Sequence, residues 1–467
     1  MPSADAPAPT DLVLCVDVGS TFTKATLVDL TSARVVGHAE HRTTIDTDVL
    51  DGVDACVAAL DAAGVPLLAC SSAGGGLRVA VVGNEELVTA EAGRRVALSS
   101  GGKVVAVVAA AAGGFGLDDL AQPDVVLLTG GTDGGNTEVI LAAAVALVAT
   151  GWSGPVVVAG NVDATQAVSE VLAGLPVVTA DNVVPRIGVL RPEGARAAIR
   201  EVFLAHVIGG KQLSARDGGA AFVSMVRGAT PDVVLTGVEV LAREHAEDVV
   251  VVDVGGATTD VHSIVELDPE DGALARDVVA PTAVTRTVEA DLGMRWSALT
   301  TVEAALRDGP GGPSSSTGLR DLEPAARARA ERPSYLPESE GDRDDDEAIA
   351  RVAIGLALRR HAGRSRVVVG PGGRVIERTG TDLREVGLVV ASGGVLRHGR
   401  PGVTARVLDG SIGPDLEGGW QLPERPAVVV DADYVLAAVG LLVGEHPEVA
   451  RRLARTLADG AGDVVRP

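Results

Sequence analysis

A stretch near the start of the chain recurs in its middle, and this repeat limits the possible folds more than any other feature. Leu12–Leu30 reads LVLCVDVGSTFTKATLVDL, and Val249–Leu267 reads VVVVDVGGATTDVHSIVEL. Laid together without gaps, Asp17 falls on Asp253, Gly19 on Gly255, Thr23 on Thr259 and Lys24 on Asp260. A second pair follows in the same order: VVLLTGG at Val125–Gly131 and LVVASGG at Leu388–Gly394. Both members are apolar strands ending in a small residue and two glycines. Chance explains one such match easily and two in order poorly. The repeat implies two α/β lobes of one ancestry, each supplying a loop to a central cleft.

The rest of the chain suits that architecture. At 467 residues it exceeds what one hydrophobic core holds. Short β-branched runs alternate with longer Ala-rich segments of helical spacing, which indicates α/β layers. Strands are expected at Leu12–Val18, Ala25–Leu30, Pro66–Ser71, Val104–Ala109, Val125–Thr129, Pro155–Ala159, Val233–Thr236, Val249–Val254, Arg366–Val369, Gly387–Ala391 and Ala427–Val430. Helices are expected at Thr47–Ala63, Glu85–Leu98, Asn136–Val148, Asp163–Ala173, Glu193–Val207, Ala348–His361 and Asp433–Gly444. The first lobe then covers 11–247 and the second 248–445, between a disordered tail at 1–10 and a C-terminal helix and tail at 446–467. Asp308–Glu347, with GPGGPSSSTG and PESEGDRDDDE, reads as a flexible insertion.

Charge and cysteine usage exclude several classes. The net charge of −23 argues against a phosphate-backbone binder, whose affinity comes from clustered Lys and Arg. No apolar run reaches the roughly 18–20 residues of a membrane span. Met1–Thr10 lacks the basic start and apolar block of a signal peptide. Cys15, Cys56 and Cys70 form no CxxC, so zinc and iron–sulfur frameworks are missing, and a reducing cytoplasm is the simplest compartment.

The chemistry sits in the repeated turns. In DVGSTFTK, a strand ends at Asp17, and Gly19 permits a tight turn that gathers successive N–H groups around one concavity. Such a concavity holds phosphate oxygens without cationic side chains. Ser20, Thr21 and Thr23 add hydroxyls, Lys24 adds a charge, and Asp17 is placed to hold Mg²⁺ through its water shell. In DVGGATTD, Gly255 and Gly256 expose backbone beside Thr258 and Thr259. One of Asp253 and Asp260 is placed to orient or deprotonate the attacking water, and the other to support the metal. Ser392, Gly393 and Gly394 follow a strand and would let an adenine or ribose lie flat on the backbone. There is no GxxxxGK[ST]; the Gly130–Gly135 run has no Walker lysine and reads more simply as a compact turn than as cleft lining.

The set DVGSTFTK, DVGGATTD and ASGGV, in that order, resembles the phosphate-1, phosphate-2 and adenosine motifs of the actin/Hsp70/sugar-kinase superfamily. Pro155–Asn161 then looks like the first connecting segment and Tyr434–Leu442 like the second connecting helix. Ser71–Gly83, Leu127–Leu141 and Val288–Ala298 resemble the glutamate mutase accessory proteins called MutL or GlmL. The likeness spans about Asp11 to Glu445. It implies two duplicated ribonuclease-H-like lobes with a central cleft for ATP or ADP and Mg²⁺. It further implies a chaperone-like ATPase that reactivates an adenosylcobalamin-dependent mutase such as glutamate mutase, without performing the isomerisation. The matching residues are Asp17, Gly19, Ser20, Thr21 and Lys24; Asp253, Gly255, Gly256, Thr258 and Thr259; and Ser392, Gly393 and Gly394. Asn161 departs from the Gln or acidic residue that actin-like members often carry there, which implies slow hydrolysis or greater reliance on Asp253 or Asp260.

A small-molecule kinase and a nucleotide-switched scaffold remain open as alternatives, as does the oligomeric state. An activator carrying a bridging iron–sulfur cluster is disfavoured, because no cysteine lies beyond Cys70. Arg286, Asp291, Arg295 and Trp296 offer an Arg-bearing turn for a partner, with salt-bridged packing as the plainer account.

Overall fold

Seven residues, Leu12–Val18 (β1), are buried along nearly their whole length, as a central strand requires. The computed structural model describes residues 11–460, apart from 111–114, 118–119, 267–281, 309–315, 371–372 and 416–417. The tails expected at 1–10 and beyond 460 lie outside these residues. From β1 the chain turns back antiparallel through β2 (Phe22–Asp29) and β3 (Arg34–Arg42). After the helix Val49–Ala59, β4 (Leu67–Ser71) pairs with β1 in parallel.

The chain then leaves this sheet for β5 (Leu77–Gly83), β6 (Gly102–Ala109), β7 (Val125–Leu128), β8 (Val156–Val158) and β9 (Val177–Thr179). These make a wholly parallel sheet of their own, in the order β6-β5-β7-β8-β9. Only with β10 (Val226–Ala229) does the chain return to pair with β4. One face of the parallel sheet, carrying Val79, Val81 and Val125, shares a core with Leu14, Val16 and Val18 of β1. Its other face, carrying Ala80, Val82 and Val126, builds a separate core with Ile140, Ala144 and Leu147.

Another sheet repeats the first. β11 (Val249–Val254), β12 (Thr259–Ile264) and β13 (Val284–Glu289) run antiparallel, while β16 (Leu388–Ser392) and β17 (Ala427–Val430) add in parallel. Between them lies a two-stranded hairpin, β14 (Ser365–Gly370) and β15 (Gly373–Arg378). The orders β3-β2-β1-β4-β10 and β13-β12-β11-β16-β17 are identical in sense and direction. The ribonuclease-H-like sheet is therefore present twice. The first and parallel sheets fall in one compact unit and the repeated sheet in another.

Three strand expectations are corrected. VVLLTGG and LVVASGG are not counterparts: the first is β7 of the parallel sheet, and the true equivalent of β16 is β4, read as LLACS. Pro155–Asn161 likewise belongs to the parallel sheet as β8, so the fifth strand of the first lobe is β10. Val233–Thr236 is helical, within Thr230–His245. Its buried Leu235, Val238 and Leu241 recur every three residues, and that period outweighs the local preference of valine for strands.

Asp308–Glu347 is not a loop throughout. It holds a helix over Ser316–Glu331 and the start of the long helix Glu340–Ala362. Leu319, Leu322 and Ala326 bury themselves in the core of the repeated sheet. The Arg329 guanidinium, also buried, bonds the Asp346 carboxylate and the carbonyls of Asp342 and Ala325. A sequence rich in Arg and Ala looks solvated until such a partner is known.

The long helix docks on the repeated sheet through His361, whose ring bonds Ser263 of β12 at 2.8 Å and Thr287 of β13 at 3.0 Å. Burial pushes this imidazole down to about 4 from an ordinary 6.5. A depressed value means that its contribution to stability is present above pH 6.5 and is lost as the pH falls toward 4. The stability gap between wild type and His361→Gln should shrink over that window, as read by urea unfolding at several pH values. A gap independent of pH would show that His361 already titrates normally in the fold.

Candidate functional site

The carboxyl ends of β1, β4 and β10 lie side by side in one sheet, and three side chains meet there. Asp17 ends β1; its Oδ1 accepts a hydrogen bond from Thr230 Oγ1 at 2.6 Å, just past β10. Lys24 Nζ lies 3.4 Å from Asp17 Oδ2, across the β1–β2 register. The Cys70 thiol, from β4, also faces Asp17, and burial followed by that carboxylate pushes its pKa well up, leaving an inert thiol. The turn itself is tight: Gly19 N–H donates to the Phe22 carbonyl at 3.1 Å. A Cβ on Gly19 would stand 2.7 Å from that same oxygen. Thr43 braces the turn from β3's end, donating its hydroxyl to the Gly19 carbonyl at 2.8 Å. Ser20 is exposed and Thr21 half-buried.

The repeated sheet has the same turn. Gly255 N–H donates to the Thr258 carbonyl at 2.9 Å, matching the Gly19–Phe22 bond. Here the bracing comes from behind: Met294 and Arg295 N–H take the Gly255 and Gly256 carbonyls, and Ser297 Oγ takes that of Ala257. This is the work of the segment 285–298, for which the sequence offers a partner-facing turn as the alternative to salt-bridged packing. Its arginines pack inward, Arg286 onto Asp260 and Arg295 onto Asp346, which is the plainer account. Asp260 also accepts from Thr258 Oγ1 at 2.9 Å, so its carboxylate is occupied twice.

Two of the expected hydroxyls face the interior. Thr23 and Thr259 are fully buried, bonded to Thr43 Oγ1 at 3.3 Å and to the Leu292 carbonyl at 3.1 Å. Their strands alternate sides, so each stands on the opposite face from its neighbour, Lys24 or Asp260. They hold the turns from inside rather than lining a concavity.

Ser392 ends β16 directly opposite Asp253 of β11. Gly393 has φ +129°, and a Cβ there would come within 2.4 Å of the Val254 carbonyl. Gly394 is exposed with nothing within 4 Å of where a Cβ would lie. The first sheet closes equivalently, with Ser72 N–H and Ser71 Oγ both on the Val18 carbonyl.

Two residues at these strand ends escaped notice in the sequence, Thr230 and Asp431. Asp431 follows β17 and caps the helix Val435–Leu442 by accepting from the N–H groups of Val435 at 2.7 Å and Leu436 at 3.1 Å. Burial first, and then the charges of Asp253 and Asp433, push its carboxyl up to about 6 against the pull of those donors. A gap-free likeness would have revealed both: TPDVVLTGVEVL at Thr230–Leu241 and DADYVLAAVGLL at Asp431–Leu442 match at Asp232/Asp433, Leu235/Leu436 and Val238/Val439.

Among the described residues no cluster of three or more His, Cys, Asp or Glu is arranged to hold a metal ion. Single strand-end carboxylates such as Asp17 and Asp253, one from each sheet, fit Mg²⁺, which keeps most of its waters and takes its other ligands from phosphate. They do not fit a caged ion. Nor is any described helix long and apolar enough to cross a membrane.

A family model described as MutL protein matches residues 13–457. A relative called Protein MutL, from Clostridium tetanomorphum, is 36% identical over 472 residues, covering 95% of this chain and 98% of its own. Among solved structures, a nucleotide-free acetone carboxylase aligns over 92% of this chain and 69% of its own at 14% identity, with a TM-score of 0.41. A gluconate kinase from Lactobacillus acidophilus aligns over 96% and 95% at 11% identity, with a TM-score of 0.33. The fold assignment rests on the strand order, not on these two distant alignments.

The two loop glycines should respond oppositely to a methyl group. Gly19→Ala forces a backbone carbonyl to move and should cost about 1–3 kcal/mol, the usual penalty of overpacking. Gly394→Ala meets open space and should stay within roughly 0.5 kcal/mol of wild type. Urea midpoints of the two variants check this, and equal destabilisation would contradict the packing described.

Proposed function

The chain belongs to the family of MutL proteins, and from that premise we propose that it is an ATP-binding, ATP-hydrolysing accessory factor for an adenosylcobalamin-dependent carbon-skeleton mutase. The nucleotide half of the proposal rests on one observation: the same Asp-Val-Gly turn closes the first hairpin of both ribonuclease-H-like sheets, with the same internal N–H···O bond. The β1–β2 turn takes phosphate oxygens on its backbone amides and on Ser20 and Thr21, with Lys24 adding charge. Asp17 holds Mg²⁺ through water, positioned for it by Thr230. Mg²⁺, when bound, supplies charge neutralisation on the phosphates. In the repeated sheet, Gly255, Gly256 and Thr258 offer the equivalent turn. Asp253, at the strand end opposite Ser392, orients the attacking water, while Asp260 packs onto Arg286 and Thr258. Gly394 leaves the adenosine an open backbone surface, and Gly393 lets the loop pass close against Val254.

The mutase half rests on family membership. A cobalamin mutase that loses its radical retains damaged cofactor, and its release needs a coupled source of free energy. ATP turnover is such a source provided the partner binds one nucleotide state more tightly than the other.

Removing the Asp17 carboxylate, as in Asp17→Ala, should weaken Mg²⁺-ATP binding by at least about tenfold, or ~1.4 kcal/mol, in titration calorimetry. Unchanged affinity, with and without Mg²⁺, would sink the metal-shell role. Asp253→Asn should lower turnover at saturating ATP by about tenfold while sparing affinity, in line with a positioned acid–base group. The partner claim is tested by adding protein, ATP and fresh adenosylcobalamin to a mutase inactivated with hydroxocobalamin. Activity should return with wild type and not with Asp17→Ala. If no mutase responds and ATP turnover instead follows a small metabolite, the protein is a kinase.

A further inference from the structure

The parallel sheet inserted between β4 and β10 has a site geometry of its own. Its order, β6-β5-β7-β8-β9, reverses direction between β5 and β7. The helix after β5, Glu91–Ser99, packs with Val79 and Val81 on one face. The helix after β7, Glu138–Ala149, packs with Ala80 and Val82 on the other. Two loops therefore part company at the carboxyl ends of adjacent strands and open a crevice, the place where open parallel sheets take ligands.

The crevice is lined by polar groups that the two hairpin turns do not use. Asn84, directly after β5, is 5% exposed, and its Oδ1 accepts from no group among the described residues. The carboxamide bridges the crevice onto Gly130, two residues past β7, where a Cβ would stand 2.0 Å from that oxygen. Glycine at 130 is what admits the asparagine. The opposite lip, Gly130–Asn136, is fixed from behind. Asn182 Nδ2 donates to the Gly131 carbonyl at 2.9 Å and to Asp133 Oδ1 at 2.8 Å, and Asn161 Nδ2 donates to the Gly135 and Asn136 carbonyls at 3.3 Å. On the near lip, Glu86–Ala90 forms a single π-helical turn, a local widening that recurs at functional sites. A buried acceptor left without a donor is unfavourable, and a bound N–H would offset that cost.

Charge selects the ligand. Residues 83–90, 129–138 and 159–164 contain Glu85, Glu86, Asp133, Glu138 and Asp163, and no Lys or Arg. Along these three loops a phosphate ester would meet carboxylates; Arg186 stands in the exposed loop that braces Asp133 from behind, next to Pro185. We infer that this crevice is a second ligand site, binding a small amine or amide whose N–H is accepted by Asn84. It is independent of the nucleotide proposal and sits on different strands.

The test uses the full-length protein saturated with Mg²⁺-ATP, so that any nucleotide site is filled. Acetamide and ethylammonium are followed by saturation-transfer NMR, and inorganic phosphate by its ³¹P linewidth. Acetamide or ethylammonium should receive saturation and phosphate should not broaden; the stronger of the two probes identifies amide or amine. Asn84→Leu should weaken that probe by at least about tenfold. Because this variant risks misfolding, Asn84→Asp serves alongside: it keeps the size and adds charge, so ethylammonium should gain on acetamide by about tenfold. Absence of transfer from both probes in the wild type overturns the site. So does equal transfer in Asn84→Leu, an unchanged ratio in Asn84→Asp, or binding of phosphate instead.

Discussion

The Gly19–Phe22 and Gly255–Thr258 hydrogen bonds close two turns around which the rest of each ribonuclease-H-like sheet is arranged. A turn this tight leaves no room for a side chain at Gly19 and delivers the strand-end aspartate to the sheet's carboxyl edge. Two parallel neighbours, β4 and β10 or β16 and β17, then bring their own carboxyl ends to the same edge. Polar groups therefore gather there by topology. Thr230 reaches Asp17, and Asp431 feels the charge of Asp253. The buried hydroxyls of Thr23 and Thr259 secure each turn from the other face.

The hairpins were legible because their information is local. A strand, an aspartate, a glycine turn and a returning strand occupy one continuous stretch, so a gap-free repeat exposes both copies. The parallel strands were not assignable in the same way. β4, β7, β8 and β16 are all short, apolar and buried on both faces, and all lead into glycines or small residues. Nothing in VVLLTGG states which sheet it will join. That choice is made by non-local pairing, with β7 lying against β5 and β8 rather than β1. The matched helices after β10 and β17 carry the missing information, since their aspartate and leucine spacing repeats where the strands themselves do not.

Charge pairing explains why the arginine-rich parts looked solvated. Arg286, Arg295 and Arg329 lie with their guanidinium groups largely withdrawn from water, each on a carboxylate. Removing one partner from such a pair would leave an uncompensated charge, which costs far more than an exposed pair contributes. The pairing also sets the two aspartates of the repeated turn apart. Asp260 and Asp253 look interchangeable in DVGGATTD, yet Arg286 draws Asp260 into the sheet, while Asp253 stands at the strand end beside Ser392. Sequence spacing cannot make that distinction, because Arg286 is brought in by β13.

The inserted parallel sheet follows from a constraint on connections. β4 and β10 run parallel, so the chain between them must cross over, and any crossover of sufficient length satisfies the pairing. Loop-closure entropy rises only slowly with length, so a whole sheet can occupy the crossover at little cost in closure. Its price is borne in packing: one face must bury itself, and it does so by joining Val79 and Val81 to the core of Leu14 and Val16. With that face committed, the sheet cannot slide or twist freely against the first lobe. Its carboxyl edge, carrying Asn84 and the Gly130–Asn136 loop, is then held at a fixed place relative to the β1–β2 turn. A ligand on one edge and a phosphate on the other would act on a single shared core, so any coupling between them would run through the side chains of β1 and β5.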